Sequence, residues 1–321
     1  MKRHPFGSLF PVSTLTLGGG GLGMLWGETT FEECVATVHA AVEAGINLLD
    51  LAPRYGDGKA ERVVGETFGG RLPPGVHVTS KCNLGNPPPD RVLPIFRQSI
   101  ETSLRLLQRD KLDIFFLHSN IAPDGHPMWN APDVSRLTPL SLYRSHVRPA
   151  MEKLKEQGLI GAWGLTGIGH PDAIIDVLAE DPKPAAVQCI ANLLDSPGGL
   201  KFYADSANPR AVMAAARANG VGIMGIRAVQ AGALTKSMDR ELPPDHPEML
   251  DYAKAAGFRK ICDEISEDPA IIAHRYALGL DIDTLVLGVK NRAELAGCVA
   301  ASEAGPLPPD LVARIDASVA G

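Results

Sequence analysis

Aromatic side chains are scarce, 5% of the 321 residues, so any core this chain builds must be aliphatic. Cysteine is scarce too: Cys34, Cys82, Cys189, Cys262 and Cys298 are scattered, odd in number and never in a CxxC pair. That argues against a disulfide framework or zinc knuckle and points to a reducing, cytoplasmic compartment. Long apolar runs are missing; Leu112 to Leu117 is strand-sized and far short of a membrane span. Met1-Lys2-Arg3 leads into a turn-rich segment with no apolar core, so no signal peptide is expected. A basic excess is missing as well. Thirty-one basic against 37 acidic residues give a net charge of −6, which makes nucleic acid and membrane surfaces poor partners. Hydrophobic residues at 45% and charged ones at 21% match ordinary soluble globular chains and exclude disorder.

What is present is alternation. Short apolar runs read as strands at Leu15 to Leu17, Ile46 to Leu49, Val76 to Ser80 and Leu112 to Leu117, then at Gly161 to Leu165, Ala185 to Cys189, Val221 to Ile226 and Thr284 to Leu287. Amphipathic stretches separate them. They run over Phe31 to Ala44, Ala60 to Phe68, Arg91 to Leu107 and Leu142 to Gln157, then Asp172 to Leu178, Arg210 to Ala218, Pro269 to Leu278 and Arg292 to Ala300. Strict β-then-α order demands parallel strands joined by right-handed crossovers. Eight such units of about 40 residues predict a closed (β/α)8 TIM barrel, an α/β fold in one domain over residues 1–321. A doubly wound open sheet is the alternative. Two inserts, Ser119 to Ser141 and Ala228 to Gly257, would leave the carboxyl ends of strands, where barrel enzymes build their sites.

Gly18-Gly19-Gly20-Gly21-Leu22-Gly23 satisfies GxGxxG, and Asp50 ends the next strand, as in a dinucleotide fingerprint. That mechanism needs the glycines to open a helix directly, yet helical periodicity starts only near Phe31. The run therefore reads as a flexible loop after the first strand. It is either a set of tight turns or a place where a cofactor approaches bare backbone.

Polar residues gather at consecutive strand ends: Asp50, with Tyr55 five residues on, then Lys81, then His118. A barrel would bring these four to one mouth. Tyrosine titrates near 10, so it donates a proton at neutral pH only if a cation stabilises its phenolate. Lys81 can be that cation, Asp50 can hold it, and His118 can hydrogen-bond a substrate oxygen. With no activated nucleophile and no metal cluster in the sequence pattern, an acid aimed at oxygen suits carbonyl reduction, with hydride from a cofactor.

These residues resemble the aldo-keto reductase superfamily. Asn47-Leu48-Leu49-Asp50, Ala52, Tyr55-Gly56 and Glu61-Arg62-Val63-Val64-Gly65 are similar to its signature segment, and Lys81 and His118 fall on its other two catalytic positions. Pro5-Phe6-Gly7 resembles the family's hairpin across the barrel bottom. The resemblance implies NADP(H)-dependent, reversible carbonyl reduction without a metal. Tyr55 is then the general acid, tuned by Lys81 and Asp50, and His118 orients the carbonyl. Thr166 and Gln188 match the nicotinamide carboxamide ligands, and Gly21 the glycine loop. Arg227 stands where an aromatic ring often stacks, Gly232 and Leu234 where backbone wraps the pyrophosphate. Lys290, Arg292 and Glu294 match the 2′-phosphate and adenosine segment. Trp26, Arg54 and Trp129 are expected on the substrate pocket wall, while His126, His146 and His170 lack ligand-like spacing. The substrate is expected to be a small carbonyl compound or sugar. A sugar or polyol dehydrogenase working oxidatively, or a non-catalytic NADP(H)-sensing subunit, are the competing readings; oligomeric state is not legible.

Overall fold

The computed structural model describes residues 1–130 and 134–319. Eight parallel strands close into a barrel: β3 (Leu15–Gly18), β4 (Leu48–Asp50), β5 (His77–Cys82), β6 (Leu112–Leu117), β9 (Ile160–Thr166), β10 (Ala186–Ile190), β11 (Gly222–Ile226) and β12 (Thr284–Leu287). The two ends of the sheet meet where Leu287 pairs with Leu17 and Leu285 with Leu15. That closure excludes the open doubly wound sheet. Parallel strands are covered on both faces, which is why β6 reads as a nearly continuous apolar run.

The bottom of the barrel is plugged, as expected. Strands β1 (Arg3–His4) and β2 (Val12–Ser13) form an antiparallel hairpin. Phe6 in its turn is fully buried against Leu48, Ile114, Phe116 and Met224. Gly222 makes room for this ring, since a Cβ there would lie 2.4 Å from Phe6.

The helices ring the barrel. They are α2 (Phe31–Glu43), α3 (Lys59–Phe68), α4 (Val92–Leu107), α6 (Arg148–Glu156), α7 (Pro171–Ala179), α8 (Pro209–Ala218), α11 (Pro269–Leu278) and α12 (Arg292–Glu303). Local chemistry sets their ends. Thr30 Oγ1 accepts from the Glu33 amide at the start of α2, and Gly69, at φ 54°, closes α3 in the left-handed region.

Several elements depart from the pattern read in the sequence. The glycine run is not a loop: Gly19–Leu22 forms one buried helical turn, α1. It packs so tightly that a Cβ on Gly21 would sit 1.8 Å from the Val289 carbonyl oxygen, so here glycine allows backbone-to-backbone contact. Within the Ser119 to Ser141 insert, β7 (Asn120–Ala122) and β8 (Leu137–Pro139) form a two-stranded parallel ribbon, and residues 131–133 of that insert lie outside the described residues. The Leu142 to Gln157 helix begins as α5 (Leu140–Leu142), passes through a π turn at Tyr143–Val147 and continues as α6. The second insert carries α9 (Pro247–Lys254) and leads into α10 (Ala256–Glu264), while α13 (Pro309–Val319) ends the chain. Helices α10 and α13 join a second apolar cluster around Phe258, Ile272 and Ile315, which pads the outside of the barrel. The unit-by-unit alternation did not show these extra helices because they have no strand of their own.

Candidate active site

Asp50, Lys81 and Thr166 sit in the last turns of β4, β5 and β9, and Gln188 in β10, so the barrel aims their side chains at one point. Lys81 is fully buried, and its Nζ lies 2.7 Å from Asp50 Oδ1 and donates to the Leu51 carbonyl at 2.8 Å. Asp50 Oδ1 also accepts from Thr79 Oγ1 at 2.6 Å and Gln188 Nε2 at 2.9 Å. A buried ion pair is tolerated when its remaining sites are bonded in this way. Burial alone would lower the Lys81 pKa, but Asp50, Tyr55 and their hydrogen bonds raise it above the ordinary lysine value. The ammonium stays charged.

Tyr55 lies on the turn after β4, half-buried along the pocket wall, with Lys81 Nζ 5.2 Å from its ring centroid. Its pKa is raised by burial, with Lys81 opposing that shift, so in this state Tyr55 is a phenol and a proton donor. His118 meets Tyr55 edge-on, with centroids 6.3 Å apart. Burial, then the Lys81, Arg54 and Arg136 cations, push the imidazole down to about 3. His118 is thus neutral, with one N–H to offer, and its buried Nδ1 has no partner. The four residues expected to form one constellation do so.

Asp50, Tyr55 and His118 line a cavity of about 960 Å³ that also takes in Thr166, Gln188, Arg227, Gly232, Lys290 and Glu294, and Lys81 is fully buried against Asp50 beside it. This is the upper range for ligand pockets. A nicotinamide dinucleotide fits the donor set. Thr166 Oγ1 and Gln188, 3.5 Å apart, present amide-type partners beside Tyr55, bare backbone at Gly18, Gly20 and Gly288 floors the middle, and Lys290 stands at the far end.

Other expected residues land differently. Gly20 rather than Gly21 faces the cavity; Gly21 is spent on the Val289 contact. Arg227 is on the wall, its guanidinium fixed by Glu248 Oε1 at 2.9 Å and Gln230 Oε1 at 2.8 Å. The Gly232 and Leu234 amides both donate to the Val229 carbonyl, and Leu234 is buried in the outer apolar cluster. Arg292 is exposed and bound to Glu33, outside the cavity lining. Trp26 and Arg54 line the cavity, but Trp129 does not: its indole donates to the Pro123 carbonyl and packs beside Met128, while Phe202 takes the wall. Sequence reading missed Phe202, Asn83 and Arg136, which come from loops, and Asn120, the first residue of β7; none of them carries a motif. It also passed over His126 and His170, which the fold brings to Asp205 on the outer rim at 3.5 and 3.6 Å.

The comparisons agree with this geometry. L-galactose dehydrogenase of Arabidopsis thaliana is 26% identical over 293 residues, covering 90% of this chain and 84% of that one. An aldo-keto reductase from Bacillus halodurans superposes with a TM-score of 0.72 at 21% identity, covering 99% and 96% of the two chains. An aldo-keto reductase from Klebsiella pneumoniae, solved in complex with NADPH, superposes with a TM-score of 0.67 at 18% identity, covering 98% and 94%. The model of the Aldo/keto reductase family matches residues 14–320, and this chain therefore belongs to that family of NAD(P)H-dependent oxidoreductases.

Proposed function

We propose that this chain, as one catalytic domain, reduces an aldehyde or ketone to an alcohol with NADPH, reversibly. The observation that carries this is the convergence of Tyr55, the Asp50–Lys81 pair and neutral His118 beside Thr166 and Gln188 at one pocket end. The bound nicotinamide supplies the hydride. The chain's residues do the rest. Tyr55 donates its phenolic proton to the carbonyl oxygen, Lys81 stabilises the phenolate left behind, and Asp50 holds Lys81 in place. His118 donates a hydrogen bond to the same oxygen and fixes its direction. In the oxidative direction the same groups run backwards, and the resemblance to a sugar dehydrogenase keeps that reading open. Five cysteines, all buried and unpaired, fit a reducing cytoplasmic setting, and no described helix is long and apolar enough to cross a membrane.

Tyr55→Phe keeps the ring and removes the proton. NADPH-dependent turnover of 4-nitrobenzaldehyde should fall at least ~100-fold in kcat, with NADPH affinity, read by fluorescence quenching, nearly unchanged. A variant with near-normal kcat under rate-limiting chemistry would refute the assignment.

A further inference from the structure

The catalytic end of the cavity holds two arginines that the proton-donating group does not consume. Arg54 precedes Tyr55 on the turn after β4, and Arg136 immediately precedes β8. Both line the cavity. The other arginine and lysine on its wall are paired, Arg227 with Glu248 and Lys290 with Glu294. Among the described residues, no carboxylate pairs with Arg54 or Arg136. Arg54 is exposed and solvated at the mouth, whereas Arg136 is half-buried, and its Nε is fully buried with no acceptor among the described residues.

Leaving a buried guanidinium N–H unsatisfied costs about 1–3 kcal/mol. Two further orphaned atoms, Asn83 Oδ1 and His118 Nδ1, belong to residues lining the same end. The backbone that carries Arg136 is well fixed. Its carbonyl accepts from the Asn120 amide at 2.8 Å, the ribbon pairs Asn120 with Leu137, and Thr138 Oγ1 donates to the Gly85 carbonyl at 2.7 Å. The small ribbon thus holds a cation without a carboxylate partner among the described residues on the wall of the cavity that takes in Tyr55 and His118. A guanidinium is the group best shaped to receive a carboxylate or phosphate, two oxygens at a time.

We propose that Arg136, aided by Arg54 at the mouth, is an anion subsite, and that the carbonyl substrate carries a carboxylate or phosphate group. This rests on the reading of Tyr55 as the proton donor of a carbonyl reductase. The anion would pair with the Arg136 guanidinium, replace its lost hydration, and fix the carbonyl against Tyr55 and His118.

The test compares matched aldehydes with NADPH: succinic semialdehyde against butanal, and glyceraldehyde 3-phosphate against glyceraldehyde. Wild-type enzyme should favour at least one anionic member over its neutral partner by ~tenfold or more in kcat/KM, mainly through KM. The pair that shows the preference tells carboxylate from phosphate. In Arg136→Ala, and in the longer polar Arg136→Gln, the ratio of anionic to neutral kcat/KM should drop by ~tenfold or more. Melting curves and NADPH quenching verify that both variants are folded. Equal use of both members by wild type, or an unchanged ratio in both folded variants, overturns the subsite alone. No turnover of any aldehyde by enzyme that binds NADPH overturns the reductase reading, and the subsite with it.

Discussion

Whether His118 works as a charge or as a dipole is decided by its neighbours. In sequence it is a strand-end histidine with an ordinary value near 6.5. In the fold, burial and the Lys81, Arg54 and Arg136 cations hold it down to about 3. A base with a lowered pKa is uncharged everywhere above that value, so His118 does not change charge between pH 5 and 8. Tyr55 is shifted the other way, above 10, chiefly by burial. Its proton is therefore present through neutral pH and lost only as pH rises through that raised value. The reductive kcat/KM should show no inflection from His118 near 6.5 and should decline on the alkaline side. A pH–rate profile with an inflection near 6.5 that disappears in His118→Ala would contradict this.

At the start of α12 the sequence places two bases two residues apart, and only packing tells them apart. Asn291 Oδ1 accepts from the Glu294 amide at 2.9 Å, and Glu294 Oε2 accepts from the Lys290 amide at 2.8 Å, a reciprocal cap. That cap leaves Lys290 on the cavity wall, while Arg292 turns outward onto Glu33 of α2, donating at 2.9 and 3.1 Å. Arg292 must release Glu33 before it can reach a phosphate. Lys290→Ala should thus weaken NADPH by about 1.5–3 kcal/mol, leave NADH nearly unaffected, and exceed the loss in Arg292→Ala. Titrations with both cofactors measure this; equal losses in the two variants would show that Arg292 shares the phosphate fully.

For the whole molecule, stability rests on a barrel that is filled rather than hollow. Phe6 closes its bottom from the amino-terminal hairpin, far along the chain from Ile114, Phe116 and Met224 that receive it. Phe6→Ala should cost about 3–5 kcal/mol, read as a lower denaturant midpoint, with kcat almost unchanged because the site lies at the opposite face. A loss under ~1 kcal/mol would mean that the hairpin is not a structural plug. Much of this architecture was legible in the sequence, since β6 and β12 occupy Leu112 to Leu117 and Thr284 to Leu287 as the apolar runs indicate. Period and composition act locally, so the alternating elements, the barrel class, and the strand-end Asp50, Lys81 and His118 are properties of the chain itself. Other features depend on contacts between distant segments: the helical turn at Gly19–Leu22 against Val289, the departure of Arg292 toward Glu33, the place of Phe202 rather than Trp129 on the cavity wall, and an Arg136 Nε with no acceptor among the described residues. Those were decided only by tertiary structure, because side-chain partners and desolvation are set by what the closed barrel brings together.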